Sequence, residues 1–376
     1  MKIAFCTPFK PVDHPNVSGD VTIARDLLAT LRDFGHRVEP LPFYPAREIY
    51  RRPWSWPAAA RALGRMVEAA QDADCWLTHG SYYKVPDIFG PTASARLSIP
   101  YFLFQASYAR NRARHIATWP GYALNKRAML RADHVFCNRI NDLAGCAKIL
   151  PGERYSHVSP GLPDGLFGRD EAARQRHRAG WGAGPDTVVA VCAAMMRPGV
   201  KAVGVQWTIR ACAAAARTMD KGRDLLLVVA GDGPMRTELE VMARAALGEG
   251  VRFLGRVDRT DLPGVFSAGD LFAFPGLKES VGMVYLEAQH CGLPVVATDD
   301  EGAPHVVAHE VSGLITSASE ADFAQGVATL VRDADMRARL GSQAPAHVGI
   351  HHSLSVNYLE MARTMERITA TRRPGQ

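Results

Sequence analysis

The chain has 376 residues, more than one hydrophobic core usually organises, so two domains are expected. A hydrophobic content of 47% gives both domains enough apolar surface to bury and excludes a disordered protein. Seven cysteines lie mostly within apolar runs and form no C-x-x-C pair, which argues for reduced thiols and against a zinc site.

The positive charge is concentrated in the first half of the chain. Residues 1–180 carry 25 Lys and Arg against 16 Asp and Glu (+9), whereas the remainder carries 19 against 22 (−3), which together give the net charge of +6. Such an excess suits a phosphorylated acceptor or an anionic membrane face, and a solvated basic surface fits it equally. Nucleic acid is not expected as a partner, because the hydrophobic pattern is that of a metabolic α/β fold.

The chain shows no membrane-spanning or secretory pattern. Pro8 and Lys10 interrupt the N-terminus too early for a signal peptide, and no stretch approaches about 20 apolar residues. We therefore expect a cytoplasmic protein, with peripheral binding to the inner face of the membrane as an open alternative.

Short β-branched or aromatic runs alternate with amphipathic stretches, which predicts parallel sheets covered by helices. In the first half, a strand is followed by a long loop to about Ser18 and by a helix that ends at Gly35. The strands predicted here are Lys2–Cys6, a short one near Val38, Cys75–Thr78, Tyr101–Phe104 and His134–Cys137.

A second α/β series follows a segment rich in Pro, Gly and charge at residues 160–186. We predict a first domain at 1–165, a linker at 166–186 and a second domain at 187–352, with a helix at about 353–376 that packs back on the first domain. The strands predicted in the second domain are Val188–Cys192, Leu225–Ala230, Val251–Leu254, Leu271–Phe274, Pro294–Ala297 and Leu314–Ile315.

The segment from Pro275 to Thr298 carries the chemistry. A loop with Glu279 follows a predicted strand, and a short helix is predicted from Val281 to Gly292. The free amides of Val281, Gly282 and Met283 would face an anion such as a pyrophosphate, because a helix N-terminus favours negative charge.

Two glutamates flank this anion position. Glu287 follows Met283 by one helical turn, so its carboxylate can reach a group beside the anion, such as ribose hydroxyls. Glu279 lies on the other side, so the two acids should do different jobs and do not form a hydrolase-type pair. Without further signals, two solvated surface glutamates would be the simpler interpretation.

This segment and its surroundings resemble glycosyltransferase family 4 over about residues 158–332. The resemblance rests on the E-x7-E segment Glu279–Glu287 and on the turn at residues 231–234, the strand Val251–Gly255, the stretch Ala268–Pro275 and the stretch from Gly302 to Leu314. It implies the α/β fold called GT-B, in which two Rossmann-like domains face each other across a cleft.

The resemblance also implies roles for individual residues. The first glutamate, Glu279, would contact the donor sugar, and the second, Glu287, would contact the nucleotide ribose. Arg197 and Lys201 would contact the diphosphate. The family usually spaces its basic pair by five positions and follows the lysine with Gly, whereas here the spacing is four and Ala202 follows. The remaining residues expected to bind substrate are Gly19, Asp20, Gly231, Asp232, Gly233, Ser280, Val281, Gly282, Met283 and Val284.

Signals in the first half are weaker. Ser18-Gly19-Asp20 stands where the family has a G-G turn, and an N-cap at Ser18 explains it equally well. His115 falls near the family's acceptor-side histidine, with a solvent-exposed histidine in a basic helix as the alternative. The aromatic and basic stretch 43–56 could lie on a membrane, but its prolines favour an acceptor loop or core packing.

The function that the resemblance implies is retaining transfer of a hexosyl group from a UDP- or GDP-linked sugar. The acceptor would be a saccharide, a lipid-linked molecule or a phosphorylated one. No cofactor or essential metal is expected, because no D-x-D pair lies in the segment from Pro275 to Thr298 and two cations with a helix N-terminus can neutralise the diphosphate. Alternatives are a GT-B nucleotide-sugar epimerase and a two-domain sugar-binding protein without turnover.

Overall fold

The computed structural model describes residues 1–15, 18–220, 222 and 224–372. It divides into two compact units. The first unit contains Met1–Ser159 and the C-terminal segment from Leu354, and the second contains Pro160–Ser353. In the residues described, no helix has the length and apolar content needed to cross a bilayer.

The first unit is built on a parallel sheet whose strand order, in the part of the chain that the structure describes, is β2-β1-β3-β4-β5-β6. Its elements in chain order are β1 Lys2–Cys6, α1 Gly19–Asp33, β2 Arg37–Pro40, α2 Trp56–Ala69, β3 Cys75–Ser81, α3 Gly90–Leu97, β4 Tyr101–Ala106, α4 Trp119–Arg131, β5 His134–Cys137, α5 Ile140–Cys146 and β6 Tyr155–His157.

The central strands of this sheet are buried because helices cover both faces. All four residues of β5 are buried, and β3 is buried except at Gly80. The predicted strands therefore appear close to their predicted positions. The edge strand β6 was not predicted, since its three residues are half-buried or exposed and carry no apolar run.

A buried carboxylate ties the loop after β3 to the sheet. Asp87 is 1% exposed and accepts hydrogen bonds from the hydroxyls of Thr78 (2.6 Å) and Tyr101 (2.7 Å). Its other oxygen accepts from the amides of Phe89 and Gly90, both at 2.9 Å, where α3 begins. Four donors thus depend on one acceptor group in the core of the first unit.

We expect Asp87→Ala to lower the free energy of unfolding by roughly 3 kcal/mol or more, because it leaves several buried donors without an acceptor. Urea unfolding followed by tryptophan fluorescence measures this. The matched control is Asp72→Ala, an exposed carboxylate paired with Lys2, which should not move the midpoint. Equal midpoints for the two variants would contradict the structural role given to Asp87.

The second unit repeats the architecture with the strand order β12-β11-β10-β7-β8-β9, again within the described residues. Its elements are α6 Glu171–Trp181, β7 Thr187–Ala193, α7 Val200–Ala216, β8 Asp224–Ala230, α8 Arg236–Leu247, β9 Val251–Gly255, α9 Leu262–Ala268, β10 Leu271–Ala273, α10 Met283–His290, β11 Val295–Thr298, β12 Gly313–Thr316, α11 Glu320–Arg332 and α12 Ala334–His351.

The linker predicted at 166–186 is wrong, because this segment folds as part of the second unit. It contains α6, which packs on α9. Arg174 and Arg178 of α6 pair with the carboxylate of Asp270 at 2.6 and 3.0 Å. The charged residues of this segment suggested an exposed linker in the sequence. In the structure, two of them form ion pairs with a residue distant in sequence.

The chain returns to the first unit at its C-terminal end. Helix α13, Leu354–Arg372, lies against α1, and Arg372 pairs with Asp133 at 2.6 Å. The predicted helix ran to residue 376, and residues 373–376 lie outside the described part of the chain.

Candidate active site

The order of strands in the second sheet opens a crevice at its carboxyl edge. β7 pairs on one side with β8 and on the other with β10, with Leu271 opposite Ala190. The order of the strands along the sheet therefore reverses between β7 and β10, and open parallel sheets bind ligands at such a point. The loops that follow these two strands, residues 194–199 and 274–282, meet there.

An ion pair joins the start of α7 to the loop at residues 274–282. The ammonium of Lys201, the second residue of α7, pairs with the carboxylate of Glu279. Their side chains are 27% and 20% exposed, and the Lys201 ammonium lies 5.5 Å from the centre of the Phe274 ring. Two residues that the sequence assigned to different parts of a donor are thus adjacent in this structure.

Helix α10 begins at Met283, two residues later than predicted. Gly282 has φ +79° and ψ 30°, a left-handed conformation that ends the preceding loop and precludes a helix through Val281. Tyr285 donates its amide to Gly282 O at 3.0 Å, so the amides of Met283 and Val284 precede the first helical bond. The predicted anion contact through Val281 therefore shifts to Met283 and Val284.

The loop that carries Glu279 is fixed by its backbone. Glu279 O accepts from the amide of Gly302 at 2.8 Å, and the amide of Lys278 donates to Asp300 at 3.0 Å. Tyr285 is fully buried, and its hydroxyl donates to Phe274 O at 3.2 Å. Burial and the Glu279 charge raise the pKa of Tyr285, so it remains a neutral donor. Ser280, next to these contacts, is exposed.

Glu287 has a basic partner that sequence reasoning missed. Its side chain is 12% exposed, and Arg259 Nε lies 3.7 Å from its carboxylate. The Arg259 guanidinium lies 5.8 Å from the centre of the Phe167 ring. Arg259 follows β9 in a carboxyl-edge loop, which was the only signal in the sequence that could have indicated it.

The turn at residues 231–233 has a role within the protein. Gly231 has φ +138°, and a Cβ there would lie 2.0 Å from Ala194 O. Asp232 O accepts from the amide of Met196 at 3.0 Å, while a Cβ on Gly233 would lie 2.5 Å from Met196 O. These glycines therefore let the turn pack against the loop that leads to Arg197, whatever contact they make with a ligand.

The side chain of Arg197 is exposed, and its backbone is fixed at the start of α7. Its carbonyl accepts from the amide of Ala202 at 3.2 Å, and its amide donates to Met195 O at 3.0 Å. The guanidinium is therefore presented from a defined position beside the helix that carries Lys201.

The remaining candidates lie in the first unit. Gly19 begins α1, and a Cβ there would contact nothing within 4 Å. Ser18 occupies the N-cap position, but its hydroxyl accepts from Lys10 at 3.0 Å and does not cap the helix. Asp20 is exposed, and so is His115, which follows a short 3-10 helix where a longer basic helix was expected.

Potential metal ligands do not cluster in the described residues: no three His, Cys, Asp or Glu side chains lie together as a metal-binding set. The adjacent Asp299 and Asp300 belong to no such set. The Asp300 carboxylate accepts a hydrogen bond from the amide of Lys278.

Solved structures show which fold the chain has. Sucrose-phosphate synthase from Thermosynechococcus elongatus superposes with a TM-score of 0.75 at 16% identity, over 98% of this chain and 99% of that chain. Anabaena HepE in complex with UDP and glucose gives a TM-score of 0.74 at 20% identity, over 98% and 100%. The chain has the GT-B fold that the sequence predicted.

Most of the second unit matches a known family model. Residues 196–347 match the family model described as "Glycosyl transferases group 1". This match confirms the resemblance drawn from the E-x7-E segment.

Two curated relatives match part of the chain. D-inositol 3-phosphate glycosyltransferase of Corynebacterium jeikeium is 38% identical over 36% of this chain and 34% of its own length. GDP-mannose-dependent alpha-(1-6)-phosphatidylinositol monomannoside mannosyltransferase of Mycolicibacterium smegmatis is 32% identical over 51% of this chain and 50% of its own length. The chain spans half or less of the length of these relatives.

We expect Gly231→Ala to lower the free energy of unfolding by roughly 2–5 kcal/mol, because the added Cβ meets Ala194 O and the backbone is left-handed. The control is Gly19→Ala, where a Cβ meets open space and the stability should not fall. Thermal unfolding of both variants measures the difference. A Gly231→Ala protein as stable as the wild type would contradict the packing described for this turn.

Proposed function

We propose that this protein is a retaining glycosyltransferase that moves a hexosyl group from a nucleoside-diphosphate sugar to an acceptor hydroxyl. The observation that carries the proposal is the arrangement at the β7–β10 crevice. A cation, a carboxylate and the free amides of a helix N-terminus lie around one crevice, within the part of the chain that matches the group 1 family. These are the groups that a sugar diphosphate requires.

In this proposal the diphosphate lies between the amides of Met283 and Val284 and the cations of Arg197 and Lys201. Breaking the glycosidic bond leaves negative charge on the departing phosphate oxygen. Fixed cations and oriented amides stabilise that charge without reorganising. The departing diphosphate assists removal of the proton from the acceptor hydroxyl on the same face of the sugar, and the protein needs no essential metal.

The ion pair suggests how Glu279 acts before the donor arrives. In the structure, the Glu279 carboxylate pairs with the Lys201 ammonium. In the proposed complex the diphosphate takes over Lys201, and the carboxylate is released to the hydroxyls of the donor sugar. Glu287, oriented by Arg259, holds the ribose.

Proteins similar in sequence or in fold suggest the class of donor and acceptor. A relative is named for GDP-mannose and a phosphatidylinositol mannoside, and Anabaena HepE, a structural neighbour, forms a complex with UDP-glucose. The proposal therefore keeps UDP- and GDP-linked hexoses as donors and favours a lipid-linked or phosphorylated acceptor. It includes a cytoplasmic location, because all seven cysteines are free thiols.

The two glutamates should differ in their effect on nucleotide binding. Glu287→Ala should weaken binding of a nucleoside diphosphate by about 10- to 100-fold, since hydrogen bonds to a charged group are lost. Glu279→Ala should leave that affinity unchanged or tighten it, because Lys201 loses its competing carboxylate. Calorimetry with UDP and GDP measures both, with the exposed Glu238→Ala as a control. Equal weakening by the two changes would refute the division of roles.

Lys201→Ala should lower turnover by about 100-fold, roughly 3 kcal/mol, with a smaller effect on donor affinity. The measurement is acceptor-dependent release of nucleoside diphosphate at saturating donor, with and without EDTA, and with the exposed Lys148→Ala as a control. An unchanged mutant rate, or a wild-type rate abolished by EDTA and restored by Mg²⁺, would overturn the mechanism. Retention is read from the anomeric configuration of the product by NMR.

A further inference from the structure

Two stretches of the first unit carry basic residues without a single acidic one. Residues 49–67 contain four arginines, and residues 88–132 contain six arginines and Lys126, with no Asp or Glu in either stretch. Glu48, Glu68, Asp87 and Asp133 bound them. The basic excess of the first half is therefore concentrated in two places and is not spread along the chain.

The two stretches meet in the fold. Arg51 donates to Ala117 O at 3.4 Å, and a Cβ on Gly121 would lie 2.4 Å from the Tyr50 ring. A cavity of about 200 Å³ joins them further along. It is lined by Trp56 of α2, Arg127 of α4 and Asp87, together with mainly apolar groups. One continuous face of the first unit thus combines both stretches.

This face exposes large apolar side chains. Ile116 is 94% exposed, Trp54 76% and Trp119 54%. The sequence favoured either an acceptor loop or core packing for the stretch 43–56. Core packing is wrong for Trp54, because its side chain is exposed. We call this face the basic–aromatic surface, and it comprises Arg51, Arg52, Trp54, Arg110, Arg114, Ile116 and Trp119.

We propose that the basic–aromatic surface docks the protein on an anionic phospholipid bilayer. The arginines would contact lipid phosphates, while the two tryptophans lie at headgroup depth and Ile116 enters the apolar boundary. Clustered exposed apolar groups ringed by basic ones indicate such a contact, whereas single exposed residues do not. Pro53 and Pro57 interrupt this region, so loops and helix ends make the contact.

The aliphatic Ile116 distinguishes a bilayer from nucleic acid. Nucleic-acid surfaces that combine basic and aromatic groups gain by stacking bases on rings. Ile116 has no ring, and it is the most exposed large apolar residue of this face. Only a partner with an apolar interior offers this side chain a gain in free energy. The inference goes beyond the proposed reaction and does not depend on turnover.

The experiment is flotation of the full chain with vesicles of phosphatidylcholine alone and of phosphatidylcholine mixed with phosphatidylglycerol. The protein should float with the mixed vesicles, and salt should release it, since the Debye length falls from about 10 Å at about 0.1 M to about 3 Å at about 1 M. Arg110→Gln with Arg114→Gln should weaken binding about 30-fold, which is about 1 kcal/mol for each arginine near an anionic leaflet. Ile116→Asp should weaken it at least about 10-fold.

Matched controls come from the second unit. Arg217→Gln with Arg244→Gln removes the same charge from exposed positions, and Val241→Asp changes an apolar residue that is 65% exposed. Neither should change flotation. Thermal unfolding and binding of UDP or GDP should be unchanged in the Ile116→Asp protein, which separates docking from folding and from the donor site.

Three outcomes would overturn the inference. One is equal binding to vesicles with and without phosphatidylglycerol. Another is loss of flotation in the control variants to the same extent as in Ile116→Asp. The third is binding to a soluble polyanion such as single-stranded DNA as tightly as to vesicles, with no effect of Ile116→Asp. Failure of glycosyl transfer with flotation intact would refute only the proposed reaction.

Discussion

The candidate site depends on one constraint, the placement of β10 beside β7. Asp270 secures it, because its amide donates to Val189 O and its carboxylate accepts from the Val189 amide, both at 2.8 Å. The same carboxylate pairs with Arg174 and Arg178, so α6 is held to the same point. Without this contact, Lys201 at the start of α7 and Glu279 in the loop after β10 would not face each other.

The charged side chains of the crevice are paired with one another. Lys201 is paired with Glu279, and Arg259 lies beside Glu287. In the proposed reaction the donor diphosphate replaces Glu279 as the partner of Lys201. It therefore does not bind to charges that were previously unpaired. Pairing with an opposite charge offsets part of the cost of holding each charge in a partly buried site. The exchange also gives the two glutamates different effects on nucleotide binding.

The two units contribute different kinds of chemistry. The second unit carries the family match and the crevice with paired charges, whereas the first carries the basic–aromatic surface and the candidates Gly19, Asp20 and His115. If the surface docks on a bilayer, an acceptor held at that bilayer would meet the enzyme in two dimensions. The preference for lipid-linked acceptors and the docking surface then have one physical origin.

The sequence by itself determined the strands other than β6, the helix after Glu279 and the family resemblance, because these depend on local patterns. Buried parallel strands are apolar runs, and the E-x7-E segment spans a single loop and helix. Only the tertiary structure decided that Lys201 meets Glu279, 78 residues away, and that Arg259 meets Glu287. It also decided that α6 belongs to the second unit and that Gly282 delays α10. These outcomes depend on contacts between distant residues or on a single backbone torsion, and neither leaves a periodic signal in the chain.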